Sequence, residues 1–194
     1  MCGPPANARE VLSLKRLELR TQIEPMYRQI DRTRSAADLR MAVVVSRYHA
    51  EVTGALRDGA VSAFLEADGE ESRLLVIPAP GAFELVSIGA ELARQGGFDA
   101  IVTLGCVITG ETPHDQYICS AVAGGLAQIT VETGVPIAFG VLTCQTMGQA
   151  RNRAGGRQGN KGEEAMVAAI EAAGAIRQVR ELSAGAGKPE RSRV

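Results

Sequence analysis

The 194-residue chain has no tryptophan, three tyrosines and four phenylalanines, so aromatic residues make up only 4% of it. A core built around large rings is therefore excluded. Since 45% of the residues are apolar, the interior has to be aliphatic and rich in Ala and Gly, as where helices pack closely on a sheet. An excess of either charge is also missing. The 21 Lys/Arg and 22 Asp/Glu leave a formal net charge of −1, which removes any global case for binding nucleic acid. No apolar run approaches the ~18 residues of a membrane-spanning helix, so no membrane association is expected. The amino end has no uninterrupted apolar segment of the signal-peptide kind. Cys2, Cys106, Cys119 and Cys144 form no CxxC and no metal-like pairing with either of the two histidines. They suit a reducing compartment, so the expected location is cytoplasmic and no metal site is expected.

The charge that is present is unevenly placed. The first forty residues hold eight Lys/Arg against five Asp/Glu, and the last twenty hold five against two. Two basic tails thus flank an acidic middle. Acidic residues interleaved through the first tail favour solubility or docking on a neighbour over capture of a polyanion. The expected organisation is a charged extension over 1–39, helical or disordered, a domain over 40–180, and a mobile basic tail over 181–194.

Within the domain the pattern is regular. Short, nearly continuous apolar runs at 41–45, 74–77, 100–104 and 136–142 read as strands. Helical stretches follow each, at about 50–67, from Gly81 to about Gln95, at 116–133 and at about 147–153, and a last helix is expected over 161–179. Alternating strands and helices with apolar strand runs predict a three-layer α/β fold. Its four-stranded parallel sheet is covered by helices on both faces, as in flavodoxin-like folds.

In such a sheet, ligands bind beyond the carboxyl ends of the strands. Four segments are expected to meet there: Ser46-Arg-Tyr-His49, Pro80-Gly-Ala-Phe-Glu84, Gly105-Cys-Val-Ile-Thr-Gly-Glu-Thr-Pro-His114, and Thr143-Cys144. The third reads as a loop from Gly105 to a helix amino end, where unpaired N–H groups and the helix dipole attract anions. Thr112 and Pro113 read equally well as a cap and first turn, with His114 exposed by chance; a histidine beside an anion site can also move protons near neutral pH. Glu84 reads either as a favourable charge at a helix start or as an acceptor for a polyol or ring N–H. Tyr48 reads as core or as a stacking platform. At Gly159-Asn-Lys-Gly-Glu-Glu164, Asn160 is a cap, with Glu163 able to complete a capping box and Lys161 able to face an anion.

Taken together and in order, these segments resemble the 6,7-dimethyl-8-ribityllumazine synthase family. The resemblance runs from about Met41 to Ala173 and rests on Val45-Ser-Arg-Tyr48, Pro80-Gly-Ala-Phe-Glu84, Leu104 through His114, Gly134 through Thr143, Arg153-Ala-Gly155 and Gly159-Asn-Lys-Gly162. It implies condensation of 5-amino-6-ribitylaminouracil with 3,4-dihydroxy-2-butanone 4-phosphate, with no cofactor or metal. The family's proton-transfer histidine falls on His114. Its phosphate site falls on Glu111 and Thr112, with Arg153 as the cation. The stacking aromatic falls on Tyr48. Ala82, Phe83 and Glu84 match the segment that holds uracil and ribityl chain, and Cys106, Val107 and Ile108 match the strand end lining the pocket. Phe139 and Arg153 match residues contributed by an adjacent subunit, and Lys161 matches a lysine near the site.

The chain departs from the family pattern in places. Tyr48 stands where Phe is common, His49 where Asn is frequent, Thr109 where Arg is usual, and Asp115-Gln116 where an aromatic-acidic pair is usual. The resemblance also implies a homo-oligomer, either a pentamer or a 60-subunit shell of twelve pentamers. Two other readings are a non-catalytic shell or lumazine-binding homologue, and a flavodoxin-like nucleotide binder supported by fold pattern alone.

Overall fold

The computed structural model describes residues 29–185; the expectations for residues 1–28 and for the tail beyond Gly185 lie outside the described residues. The body of the chain begins at Arg32. Four strands, β1 (Met41–Ser46), β2 (Leu74–Ala79), β3 (Ala100–Ile108) and β4 (Ile137–Cys144), form one sheet in the order β2-β1-β3-β4. Every neighbouring pair is parallel. Helices α1 (Ala50–Glu66), α2 (Glu84–Gln95), α3 (His114–Thr133), the short α4 (Met147–Asn152) and α5 (Lys161–Gly185) follow, with a 3₁₀ turn (Glu71–Arg73) before β2. A small antiparallel ribbon, β5 (Ala154–Gly156) with β6 (Gly159–Asn160), links α4 to α5.

The period of two along a strand sorts the core into two layers. On one face Met41, Val43, Val102 and Leu104 meet Val52, Leu56 and Phe64 of α1 and Met166 and Ile170 of α5. On the other, Ala42, Val44 and Ile101 meet Leu85 of α2 and Val122, Leu126 and Ile129 of α3. This is the three-layer α/β architecture that the alternating pattern predicts. Few of these side chains are rings, and the close approach that small residues permit takes their place.

Residues ahead of the sheet belong to the same core. Ala36 and Leu39 are buried, and the Ala36 N–H donates to the Ala67 carbonyl at 2.6 Å. Arg40 is fixed twice: its N–H donates to Asp99 Oδ2 at 2.8 Å, and its guanidinium lies 4.9 Å from the Phe98 ring centre. The start of β1 is thus pinned to the start of β3.

Two boundaries matter for the site. β3 runs to Ile108, four residues past the expected end at Leu104, because Cys106, Val107 and Ile108 keep pairing with Leu142, Thr143 and Cys144. The anticipated loop therefore begins at Thr109, not Gly105. The strand order also reverses at β1, whose two neighbours are β2 and β3. A sheet of this kind opens its crevice at such a reversal.

Candidate active site

A cleft of about 450 Å³ opens at the carboxyl ends of β2, β1 and β3. Each strand hands it one segment. Beyond β1 come Tyr48 and His49; beyond β2 come Gly81, Ala82, Phe83 and Glu84; from the end of β3 come Cys106, Val107 and Ile108, and from the loop and first turn of α3 Gly110, Thr112, His114, Asp115 and Ile118. Nine residues singled out from sequence therefore share one cavity: Tyr48, Ala82, Phe83, Glu84, Cys106, Val107, Ile108, Thr112 and His114. The end of β4 does not join them. It lies on the far side of β3 from β1, so Thr143 and Cys144 fall outside the cleft wall.

Local chemistry explains how the segments are held. The buried Ser46 accepts the Tyr48 N–H at 3.2 Å, which fixes the turn out of β1. His49 then caps α1 with a left-handed backbone, φ 56° and ψ 51°. Tyr48 is 66% exposed and Phe83 55%, so both rings are open to a planar ligand. Gly81 leaves room for the carboxylate of Glu84, whose Oε2 would lie 2.9 Å from a Cβ at that position. Glu84 is the first residue of α2, where the dipole favours its charge.

At the start of α3 the cap differs from expectation. Pro113, not Thr112, occupies the cap position, and no side chain closes the turn. The Thr112 side chain therefore has no capping duty. His114 is the first helical residue and is exposed. Asp115 does not turn outward with it. It is 8% exposed, and its Oδ2 accepts the Thr109 hydroxyl at 3.0 Å. Its Oδ1 has no hydrogen-bond partner among the described residues.

Cys106 faces the cleft but is chemically quiet. Burial, and secondarily the neighbouring Cys144, push its thiol up to about 11, so it stays protonated near neutral pH and serves as wall rather than nucleophile.

Four anticipated residues lie elsewhere. Glu111 is exposed in the loop beside the cleft but does not line it. Phe139 is 45% exposed on β4. Arg153, just after α4, gives its Nη1 to the Gln149 carbonyl at 3.2 Å. Lys161 Nζ lies 2.7 and 2.6 Å from the two carboxylate oxygens of Glu164. As a result no Lys or Arg lines the cleft, although a helix amino end opens into it. Sequence reading undervalued His49, Gly110, Asp115 and Ile118 as wall residues. Ile118 follows His114 by four positions and Asp115 by three, the spacing that puts them on one side of a helix, so its place could have been found.

Among the described residues no group of three or more His, Cys, Asp or Glu is placed to hold a metal ion, and no helix is long and apolar enough to cross a membrane.

The family model for 6,7-dimethyl-8-ribityllumazine synthase matches residues 38–177. That span contains all four sheet strands and every residue of the cleft. With most of its length matched, this chain belongs to the 6,7-dimethyl-8-ribityllumazine synthase family.

Proposed function

We propose that the protein condenses 5-amino-6-ribitylaminouracil with 3,4-dihydroxy-2-butanone 4-phosphate to give 6,7-dimethyl-8-ribityllumazine, the penultimate step of riboflavin formation. The observation that carries this reading is the meeting of Tyr48, the 82–84 segment, the 106–108 strand end and His114 in one cleft. Open rings, a carboxylate and an imidazole are what a flat pyrimidine with a polyol chain and a reacting amine call for.

In this reading the uracil stacks on Tyr48, and Glu84 accepts from its N–H or hydroxyl groups. The 5-amino nitrogen attacks the ketone carbon of the second substrate, and loss of water leaves an imine. Elimination breaks the C–O bond to phosphate, which departs as inorganic phosphate. That elimination takes the proton from the neighbouring hydroxyl-bearing carbon and leaves an enol, which tautomerises to a ketone. The ribityl-bearing nitrogen then closes the ring on this new carbonyl with loss of a second water. His114 carries protons between these steps. The amino end of α3 with Glu111 and Thr112 receives the phosphate, and Arg153 of a second copy supplies the positive charge that the cleft lacks. Phe139 of that copy completes the pocket, with Lys161 near the site. Holding two substrates together supplies much of the rate, since effective molarities can be large, and fixed positive groups stabilise the departing phosphate.

An absorbance assay for lumazine formation from the two substrates tests this. Product formation that requires both substrates is expected. Lumazine binding without any turnover would instead make the protein a binding homologue.

A further inference from the structure

His49 sits in the cleft wall in the left-handed backbone region. An L-residue with a Cβ pays for that conformation, whereas glycine adopts it freely. The turn itself is well made. The His49 carbonyl accepts the N–H of Val52 at 2.9 Å and of Thr53 at 3.0 Å, and the Thr53 hydroxyl at 3.4 Å. None of these bonds uses the imidazole. Glycine or asparagine would serve the turn as well, so a reason for histidine is to be sought in its ring.

The ring has one visible task. Its centre lies 4.8 Å from that of Tyr48, with the two planes 75° apart. This edge-to-face arrangement is a favoured geometry for aromatic pairs. Tyr48 needs such support. Its backbone is tied to Ser46, but its ring is two-thirds exposed, and His49 provides the only ring–ring contact among the described residues.

We infer that His49 is a positioning residue that holds the Tyr48 ring upright as the wall on which the planar ring of the substrate stacks. The inference rests on the proposed role of Tyr48 as stacking platform. It makes His49 a determinant of affinity for the ring-bearing substrate and leaves the phosphorylated substrate outside its influence.

Three variants of the full-length protein separate this from a role in the turn. His49→Gly relieves the backbone and removes the ring. His49→Asn tolerates the backbone and also removes the ring. His49→Phe keeps an aromatic edge without an imidazole. The measurements are melting temperature, KM for each substrate, kcat, and equilibrium dialysis of 6,7-dimethyl-8-ribityllumazine. The expected result for His49→Gly is an unchanged or higher melting temperature. Its KM for the uracil and Kd for the lumazine should rise roughly three- to tenfold, with kcat and the other KM within about twofold. His49→Asn should behave likewise, and His49→Phe should recover most of the loss. Unchanged uracil KM in the Gly and Asn variants overturns the inference. So does a fall in melting temperature with both KM values rising together, or a Phe variant no better than Asn. Wild-type protein that neither forms nor binds the lumazine removes the proposed reaction itself, and this inference with it, before any variant is compared.

Discussion

The carboxylate of Asp115 is hydrogen-bonded on one side only. Oδ2 takes the Thr109 hydroxyl, while Oδ1 is buried without a partner among the described residues. Its position near the amino end of α3 favours a negative charge, but a buried acceptor with nothing to accept is costly. Thr109→Val deletes the one hydrogen bond and leaves both oxygens unserved. The expected cost is about 1–3 kcal/mol, read from the midpoint of urea unfolding at constant slope. Adding Asp115→Leu removes the stranded charge, so the double variant should regain most of that loss. The difference measures the coupling of the pair. Equal midpoints for Thr109→Val and wild type would mean that solvent already serves the carboxylate. The same pair shows where sequence reading ran short. Asp115 stands next to His114 in the chain, and sequence alone does not say which way its carboxylate turns. Consecutive helical residues point about 100° apart, and Asp115 turns inward to Thr109 while His114 is exposed.

Helices α1 and α5 meet through two residues with little or no side chain to spare. Asn160 accepts the Gly162 N–H on Oδ1 at 2.9 Å and donates through Nδ2 to the Ala55 carbonyl at 2.9 Å. It therefore caps α5 and ties it to α1 at once. Gly162 then lies directly on the Leu56 backbone: a Cβ there would fall onto the Leu56 carbonyl oxygen and come within 2.6 Å of its carbon. Backbone cannot swing aside as a side chain does, so Gly162→Ala is expected to cost on the order of 3 kcal/mol. Gly54, inside α1, has nothing within 4 Å of the same added methyl. There Gly→Ala should stabilise by roughly 0.5–1 kcal/mol through chain entropy. Opposite shifts in unfolding midpoint for one chemical change are the test, and shifts of the same sign would refute the packing account. The cap was legible, because Asn160 precedes a helical pattern. The tie to Ala55 was not, since it joins residues more than a hundred positions apart. Strand and helix identities were legible for a similar reason: each apolar run is bounded by Gly, Pro or polar residues. The true end of β3 was hidden. Gly105 looks like punctuation, yet it sits between Leu85 and Val141 side chains that leave little room for a Cβ, so it marks close packing within a strand. A further tie binds α1 to α4: Arg151 reaches both oxygens of Glu51 at 2.9 Å. The pair holds Glu51 below the usual carboxylate range, first by hydrogen bonding and then by charge. Whatever it adds to stability is present above the ordinary Glu value and lost as pH falls through the lowered one. Both side chains are largely exposed, so salt should weaken the tie.

At the scale of the whole molecule, the cleft of one chain is incomplete for the proposed reaction. It has two imidazoles, two carboxylates and open rings, but no Lys or Arg. Arg153, the expected phosphate partner, is bound to Gln149 away from that wall, and Phe139 lies exposed on β4. Leu75 and Val76 on the edge strand β2 and Val131 on α3 are also open apolar surface. These features fit a protein that assembles, with each site drawing Arg153 from a neighbouring copy. Subunit complementation tests that division. His114→Ala alone should lose on the order of 10²–10⁴ in turnover, the usual worth of acid–base help. Arg153→Ala alone should raise KM for the phosphorylated substrate more than for the uracil. When the two variants are unfolded together in equal amounts and refolded, each mixed ring contains sites whose histidine and arginine both come from intact positions on different chains. Random assortment in a cyclic ring makes about one site in four of this kind. Activity should therefore climb well above the sum of the separate variants, towards about a quarter of wild type. If both residues acted within one chain, every site would carry a defect and mixing would restore nothing.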